Sequence, residues 1–192
     1  MKKYLYLTKK NWIHPWITGG VVPLYRASKY ISDERKGVYT PDENLIDTST
    51  HDKKDFSDLF VITGNSRLTV QDFYHKGSYY EHVVFDQKIE NGLVLCLANT
   101  KSREIAIGLG KEACVEILDV ELLKRHLDKQ IGVNGIMKPC EYTSGHNRNH
   151  FLKSSKDAWQ DEYRIFWPEV ESLRVSIPSG IAKHVKLNFH KK

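Results

Sequence analysis

The residues best suited to chemistry lie in one run near the C-terminal end, Gln160-Asp-Glu162-Tyr-Arg164. Polar side chains at 160, 162 and 164 alternate with apolar ones at 163, 165 and 167, which predicts a β-strand with one packed face and one polar face. A carboxylate and a carboxamide on one face are suited to stabilising a developing positive charge and orienting a second reactant. Glu162 and Gln160 are therefore candidate catalytic residues. The alternative is an ordinary exposed sheet face, with Glu162 and Arg164 in surface ion pairs.

A second candidate lies at the end of an early predicted strand, in Leu24-Tyr25-Arg26-Ala27-Ser28. The planar guanidinium of Arg26 stays charged and can bond two phosphate oxygens at once, so it fits a pyrophosphate ligand. A strand-end arginine in a surface ion pair is the alternative. Tyr25 also belongs to a group of N-terminal aromatic residues that includes Trp12, and these fit either stacking on bases or a hydrophobic core.

Cysteine and histidine residues offer a weaker site between positions 140 and 150. Cys140, His146 and His150 resemble a partial zinc set, but a fourth ligand and a paired cysteine motif are missing, so we expect no metal. The two histidines could instead serve as a metal-free acid and base, and Arg148 between them could contact a phosphate. The glycine-rich loops of common nucleotide-binding folds do not occur in the sequence.

Most elements predicted to position these residues are short strands, at 3–7, 21–26, 60–63, 83–85, 93–98, 105–109 and 115–118. The clearest helix is 120–129, with Asp119 as its N-cap and Gly132 as its stop. A second helix is expected just before Trp159, and residues 35–58 are predicted to form a long irregular segment. These elements indicate one α+β domain over residues 1–192, with mixed or antiparallel strands and a few helices.

Composition and charge bound the class of protein. The 192 residues are 40% hydrophobic and 28% charged, which is ordinary for a globular protein, and no apolar run is long enough to span a membrane. We therefore expect a cytoplasmic location and no membrane partner. Residues 1–32 hold six Lys or Arg and residues 172–192 hold five, and neither range contains Asp or Glu. If the ends meet, Lys183, Lys186 and the terminal Lys191 and Lys192 would form a basic face for nucleic acid. Solvated tails are the alternative.

The run around Trp159 resembles two families. Its run Lys153…Trp159-Gln-Asp-Glu162-Tyr-Arg164 is similar to the Lys…Trp…Glu-aromatic-Arg signature of an uncharacterised bacterial family associated with phage defence, over residues 138–187, with one departure: Gln160-Asp161 stands in the place of a more acidic pair. Gln160-x-Glu162 also resembles the Gln/Glu-x-Glu element of ADP-ribosyltransferases, including DarT-type toxins, and Tyr25-Arg26 resembles the aromatic-Arg pair on their early strand. The middle Ser/Thr element has only imperfect counterparts, in Tyr142-Thr143-Ser144 and at 47–50.

The second resemblance implies a split-sheet ADP-ribosyltransferase fold, with NAD as substrate and no metal cofactor. In that scheme Glu162 stabilises a cation-like ribose, Gln160 orients the acceptor, and Arg26 holds the pyrophosphate. Tyr25, Tyr142, Thr143 and Ser144 are the other expected NAD contacts. It implies a toxin or antiphage effector, and the basic ends favour RNA or DNA as acceptor. Two alternatives remain: a protein-directed transferase, or a non-catalytic or nuclease-like module that binds nucleic acid. A companion antitoxin is left open.

Overall fold

The computed structural model describes residues 1–187. The strands are β1 Lys3–Leu7, β2 Gly20–Arg26, β3 Leu45–Asp47, β4 Ser66–His75, β5 Ser78–Ile89, β6 Gly92–Ala98, β7 Ala113–Ile117, β8 Ile136–Pro139, β9 Glu141–Thr143, β10 Leu152–Ser154, β11 Glu162–Pro168, β12 Leu173–Ile177 and β13 Ala182–Val185. The α-helices are α1 His14–Thr18, α2 Arg103–Gly108 and α3 Val120–Ile131. Short 3-10 helices cover Lys10–Ile13, Ala27–Tyr30, Lys53–Phe56 and Ser155–Gln160. The chain is an α+β protein, as the sequence predicted.

Eight of these strands form one large antiparallel sheet that is organised around β6. On one edge of β6, β11 pairs over the whole length of the strand, and β8 then pairs with β11. The other edge is shared by two strands, because β2 pairs with β6 only at residues 93 and 94, and β1 only at residue 98. The sheet therefore divides into two wings beyond β6, one made of β1, β7 and β13 and the other of β2 and β12.

Pro23 accounts for the place where the wings separate. The Asn99 amide donates to the Asp161 carbonyl at 2.8 Å. Because hydrogen-bonded residues alternate along an antiparallel strand, the odd-numbered residues of β6 direct their main-chain groups to β11. The main-chain groups of even-numbered β6 residues therefore point to the shared edge. Pairing of β2 in continuous register would place Pro23 opposite Cys96, and proline has no amide hydrogen to donate. The ladder stops there, and among the described residues Cys96 has no strand partner on this edge.

The back face of the sheet carries the main core. Leu95 of β6 and Ile165 of β11 pack there with the buried side of α3, including Leu123 and Leu127. The helix begins at Val120 as predicted and runs two residues past the predicted end, to Ile131. The Asp119 side chain accepts hydrogen bonds from the first-turn amides, and the predicted stop Gly132 adopts a left-handed conformation with φ of 79°.

The front face is covered by an irregular stretch, residues 27–44, which we call the covering segment. Ala27 and Tyr30 pack against Val94 and Phe166 of the sheet. Beside it, β3, β4 and β5 form a separate sheet around a small aromatic cluster that includes Phe56 and Phe85. The segment at 35–58 is thus largely irregular, as predicted, apart from β3 and one 3-10 turn.

Two predicted strands are wrong. Residues 105–109 lie mostly in α2, where Ser102 caps the helix by accepting a hydrogen bond from the Ile105 amide. Residues 60–63 form no strand. The helix expected before Trp159 is a 3-10 helix that includes it. Among residues 1–187, no helix has both the length and the apolar character needed to cross a membrane.

Candidate functional site

A cavity of about 480 Å³ occupies the gap between the two wings. Its size falls within the range of small-molecule sites. Apolar side chains of β1, β2 and β6 form most of its wall. Its polar and aromatic lining residues are Tyr6, Thr8, Trp12, Trp16, Tyr25, Tyr30, Glu43, Cys96, Lys111, Gln160, Glu162, Arg164 and Arg174. The sequence candidates Glu162, Gln160 and Tyr25 therefore meet in one place.

A tight turn brings Gln160 and Glu162 into the cavity together. Gln160 ends a 3-10 helix and Glu162 begins β11. The prediction that Gln160 lies on the same strand as Glu162 is therefore wrong. Asp161 between them has a positive φ of 47°, a conformation that Asp tolerates better than most residues. Its carboxylate accepts hydrogen bonds from Asn99 at 2.9 Å and Thr100 at 2.8 Å, which hold the turn in place.

Glu162 belongs to a buried ionic cluster, which consists of Glu43, Lys153, Glu162 and Arg164. The Lys153 Nζ lies 2.6 Å and the Arg164 Nη2 lies 3.2 Å from the same oxygen, Oε2 of Glu162. The guanidinium of Arg164 also contacts both carboxylate oxygens of Glu43, at 2.8 and 3.0 Å. Lys153 further donates to Gln160 at 2.9 Å. The alternative of an ordinary exposed sheet face is therefore wrong, since residues 160, 162 and 164 are all buried beneath the covering segment.

Burial and the neighbouring charges shift the pKa values of the groups in and around the cluster. Burial alone would raise the pKa of Glu162, but Arg164 and Lys153 outweigh burial and lower that pKa to about 2. Burial raises the pKa of Glu43, although Arg164 opposes this effect. Burial also raises the pKa of the Cys96 thiol well above its usual value. At neutral pH the cavity therefore presents an ionised Glu162 and a neutral Cys96, which is a poor nucleophile.

Tyr25 and Arg26 point to opposite faces of the sheet. Tyr25 pairs with Val94 and so shares the front face with Glu162, whereas Arg26 pairs with Leu93 and lies on the back. The Arg26 guanidinium forms an ion pair with Glu171 and does not line the cavity. The pyrophosphate-binding role implied for Arg26 would require Arg26 and Glu162 to share a cleft, and this expectation is wrong because side chains alternate along a strand. Tyr25, on the other face, does line the same cavity as Glu162.

The stretch Tyr142-Thr143-Ser144 lies beside β11 but does not line the cavity. The Tyr142 hydroxyl accepts a hydrogen bond from the Glu162 amide at 2.9 Å, so it supports the start of β11. Thr143 accepts from the Gly145 amide within its own turn, and Ser144 is exposed. In this structure the three residues contact the cavity only through Glu162.

The two histidines occupy structural positions. The His150 ring stacks on Phe166 and its Nε2 lies 3.1 Å from a Glu90 oxygen, and burial lowers the pKa of His150 to about 4. The His146 Nε2 contacts the Ser49 carbonyl oxygen at 2.9 Å. Within residues 1–187 no group of three or more His, Cys, Asp or Glu residues is placed to hold a metal ion.

The basic ends approach each other on the first wing, because β1 and β13 flank β7 on either side. Lys2 and Lys183 both contact Glu116, at 3.0 and 3.4 Å. Lys186 is exposed, whereas Lys191 and Lys192 lie outside the described residues. Arg148 belongs elsewhere, since its guanidinium is largely buried against Asp42 at 2.6 Å. It is therefore a poor candidate for contact with nucleic acid.

Sequence reasoning missed several lining residues. Glu43 lies in a polar irregular stretch, and nothing in its sequence context indicates burial. Lys111 follows α2, which was mistaken for a strand. Arg174 had a usable signal, since the apolar residues at 173, 175 and 177 alternate with it and predict a strand with Arg174 on the other face.

Comparisons with protein-family models, with curated proteins and with solved structures found no match to this chain.

Proposed function

We propose that this protein is an NAD-dependent ADP-ribosyltransferase and that the cavity between the wings binds NAD. The single observation that carries the proposal is that Glu162 and Gln160, from one tight turn, line a cavity of about 480 Å³ together with the half-exposed ring of Tyr25. The divided sheet supports it, because the resemblance to ADP-ribosyltransferases implies a split sheet. The role as a toxin or antiphage effector rests on the resemblance alone.

In the proposed reaction the bond between nicotinamide and the ribose C1′ breaks, and nicotinamide leaves with the electron pair. The acceptor supplies the electron pair of the new bond to C1′ and releases its proton. The ionised Glu162 offsets the positive charge that develops on the ribose. Lys153 and Arg164 hold that carboxylate through Oε2, so it needs little reorganisation in the transition state. Gln160 lies beside it and would orient the acceptor.

Nucleic acid is the proposed acceptor. Residues that lie opposite each other on neighbouring strands share a face of the sheet. Lys183 lies opposite Glu116, and Glu116 lies opposite Tyr4. Tyr4 and Glu162 both lie opposite Ala98, so all of these side chains share the front face. The basic ends thus extend the same face of the sheet that carries the candidate catalytic residues. A polyanion bound there would approach the cavity from the side of the first wing.

The test is to incubate the purified protein with NAD labelled in its adenylate part, together with RNA, DNA or a protein mixture. We expect label to enter nucleic acid, and Tyr25→Ala to reduce the transfer because it removes an exposed wall of the cavity without disturbing the core. Arg26→Gln, on the opposite face, is the matched control and should retain activity. Folded wild-type protein that labels none of the acceptors would refute the proposal. Binding of RNA without any consumption of NAD would favour a non-catalytic binding module instead.

A further inference from the structure

Two cations that line the cavity have no acidic partner among the residues that the structure describes. Lys111 donates to the Thr8 hydroxyl at 2.9 Å, and no carboxylate of residues 1–187 lies within ion-pair distance of it. Arg174 is exposed and likewise has no ion-pair or hydrogen-bond partner within the described chain. By contrast, Arg26, Arg35 and Arg148 each contact a carboxylate.

The two cations come from opposite wings. Lys111 lies beside Thr8, directly after β1, whereas Arg174 is on β12, opposite Pro23 of β2. Residues opposite each other in an antiparallel pair share a face, so Arg174 lies on the same face of its wing as Tyr25. Because both cations line the one cavity, they approach it from its two sides.

The charges already present in the cavity do not compensate these two. The buried ionic cluster holds two carboxylates and two cations, so it supplies no excess negative charge. Lys111 and Arg174 therefore leave the cavity with an excess of positive charge. Burial lowers the pKa of Lys111, which means that the groups around it stabilise its charged form incompletely. An anionic ligand would supply the missing stabilisation.

The cavity that these cations line also has aromatic surface. Trp12 and Tyr25 both line the cavity, and they are 47% and 44% exposed. Exposed aromatic rings beside cations fit a ligand with a flat base and a phosphate group, since bases stack on such rings. A lone inorganic anion would use the cations and leave the rings uncovered.

We propose that Lys111 and Arg174 form the diphosphate-binding site of the cavity and hold a nucleoside diphosphate whose base stacks against Trp12 or Tyr25. This inference names the residues that would bind the diphosphate of the proposed substrate NAD, and it rests on the proposed function to that extent. It replaces the role that the sequence resemblance implied for Arg26. A simple nucleoside diphosphate contains all the groups that the site recognises.

The test is calorimetric titration of the wild-type protein with ADP and, separately, with adenosine. We expect Arg174→Gln and Lys111→Met each to weaken ADP binding by roughly tenfold to a hundredfold, because each loses a charge-assisted hydrogen bond. Adenosine binding should change little, since adenosine carries no phosphate. Arg26→Gln removes the same charge from the opposite face and should leave ADP binding unchanged. Thermal melting of each variant checks that it is folded; Arg174 is exposed, so its variant tests the site even if Lys111→Met is unstable.

The outcomes separate this inference from the proposed function. ADP binding that fails to occur in the wild type, or that both variants retain, overturns the diphosphate site. ADP binding that depends on Lys111 and Arg174, in a protein that transfers no label from NAD, supports the site and refutes the transferase. Equal losses of affinity for adenosine and for ADP in the variants would also count against the diphosphate site, because they would reflect damage to the cavity as a whole.

Discussion

Replacement of Glu162 by Gln should destabilise the protein strongly, although the substitution changes the shape of the side chain very little. In the folded protein Lys153 and Arg164 both contact Oε2 of Glu162 inside a buried cluster. Arg164 would keep its ion pair with Glu43, but Lys153 would lose the one carboxylate with which it forms an ion pair among the described residues and keep only neutral acceptors. Removing one partner of a buried ion pair costs about 3–5 kcal/mol, because a charge is left without compensation. Since each kcal/mol lowers the melting temperature of a domain this size by roughly 2–4 °C, we expect a drop of roughly 6–20 °C.

The assay is urea unfolding at pH 7 together with thermal melting. Glu171→Gln is the matched control, because it is the same substitution at a side chain that is 76% exposed and paired with Arg26. Exposed ion pairs contribute about 0–1 kcal/mol, so this variant should melt close to the wild type. A double variant, Glu162→Gln with Lys153→Met, should recover part of the loss since it removes the uncompensated charge. A Glu162→Gln protein that melts within about 2 °C of wild type would refute the description of the cluster as buried and coupled.

This cost affects how catalysis is tested. The polar face of β11 looks exposed from sequence, and on an exposed face the same substitution would change stability by no more than about 0.5 kcal/mol. Because Glu162 is buried instead, loss of transfer in its Gln variant is informative only well below the variant's melting temperature. The loss of one such electrostatic group commonly reduces the rate by a hundredfold or more. Transfer that persists undiminished in a folded variant would exclude Glu162 as the catalytic carboxylate.

Three further outcomes are expected. Because the folded pKa of Glu162 is lowered from 4.5 to about 2, its contribution to stability is present above pH 4.5 and is lost as the pH falls toward 2; urea unfolding across that range should show a smaller decline for Glu162→Gln than for wild type. Gly92→Ala would drive a Cβ into the Trp167 carbonyl oxygen, so it should destabilise the protein by about 1–3 kcal/mol, measured by urea unfolding, and a neutral result would contradict the close approach of β6 and β11. Lys183→Gln combined with Lys186→Gln should reduce the slope of log affinity against log salt for single-stranded RNA by roughly 1.4, and an unchanged slope would place the polyanion elsewhere.

The elements that could be predicted from sequence are those whose signals are local. Asp119 and Gly132 bound α3 by hydrogen bonds and backbone conformation within a few residues, and the alternation in β1 gives that strand at its observed limits. The run at 105–109 failed because a short apolar stretch fits either a strand or a helix. The Ser102 cap, three residues before Ile105, was the signal that could have decided between them.

The candidate site was predictable only in part. The period of two brings Glu162 and Arg164 to one face, and the same rule, applied to β2, separates Tyr25 from Arg26. The sequence does not say which face another part of the chain covers, because that depends on contacts such as Glu43 with Arg164, which are 121 residues apart. Burial of Glu162 was therefore missed, and so was the contribution of Lys111.

The pair between Glu43 and Arg164 also determines how a ligand can reach the cavity. Both side chains are only 2% exposed, and Glu43 belongs to the covering segment. Lifting that segment would separate two buried charges, so its local opening should cost about 3–5 kcal/mol. The segment is irregular in structure, yet its amides around Glu43 should exchange with solvent more slowly than those of an exposed loop. Access through the covering segment is thereby disfavoured, and a ligand of the proposed site would enter between the wings, past the exposed side chains of Trp12 and Arg174.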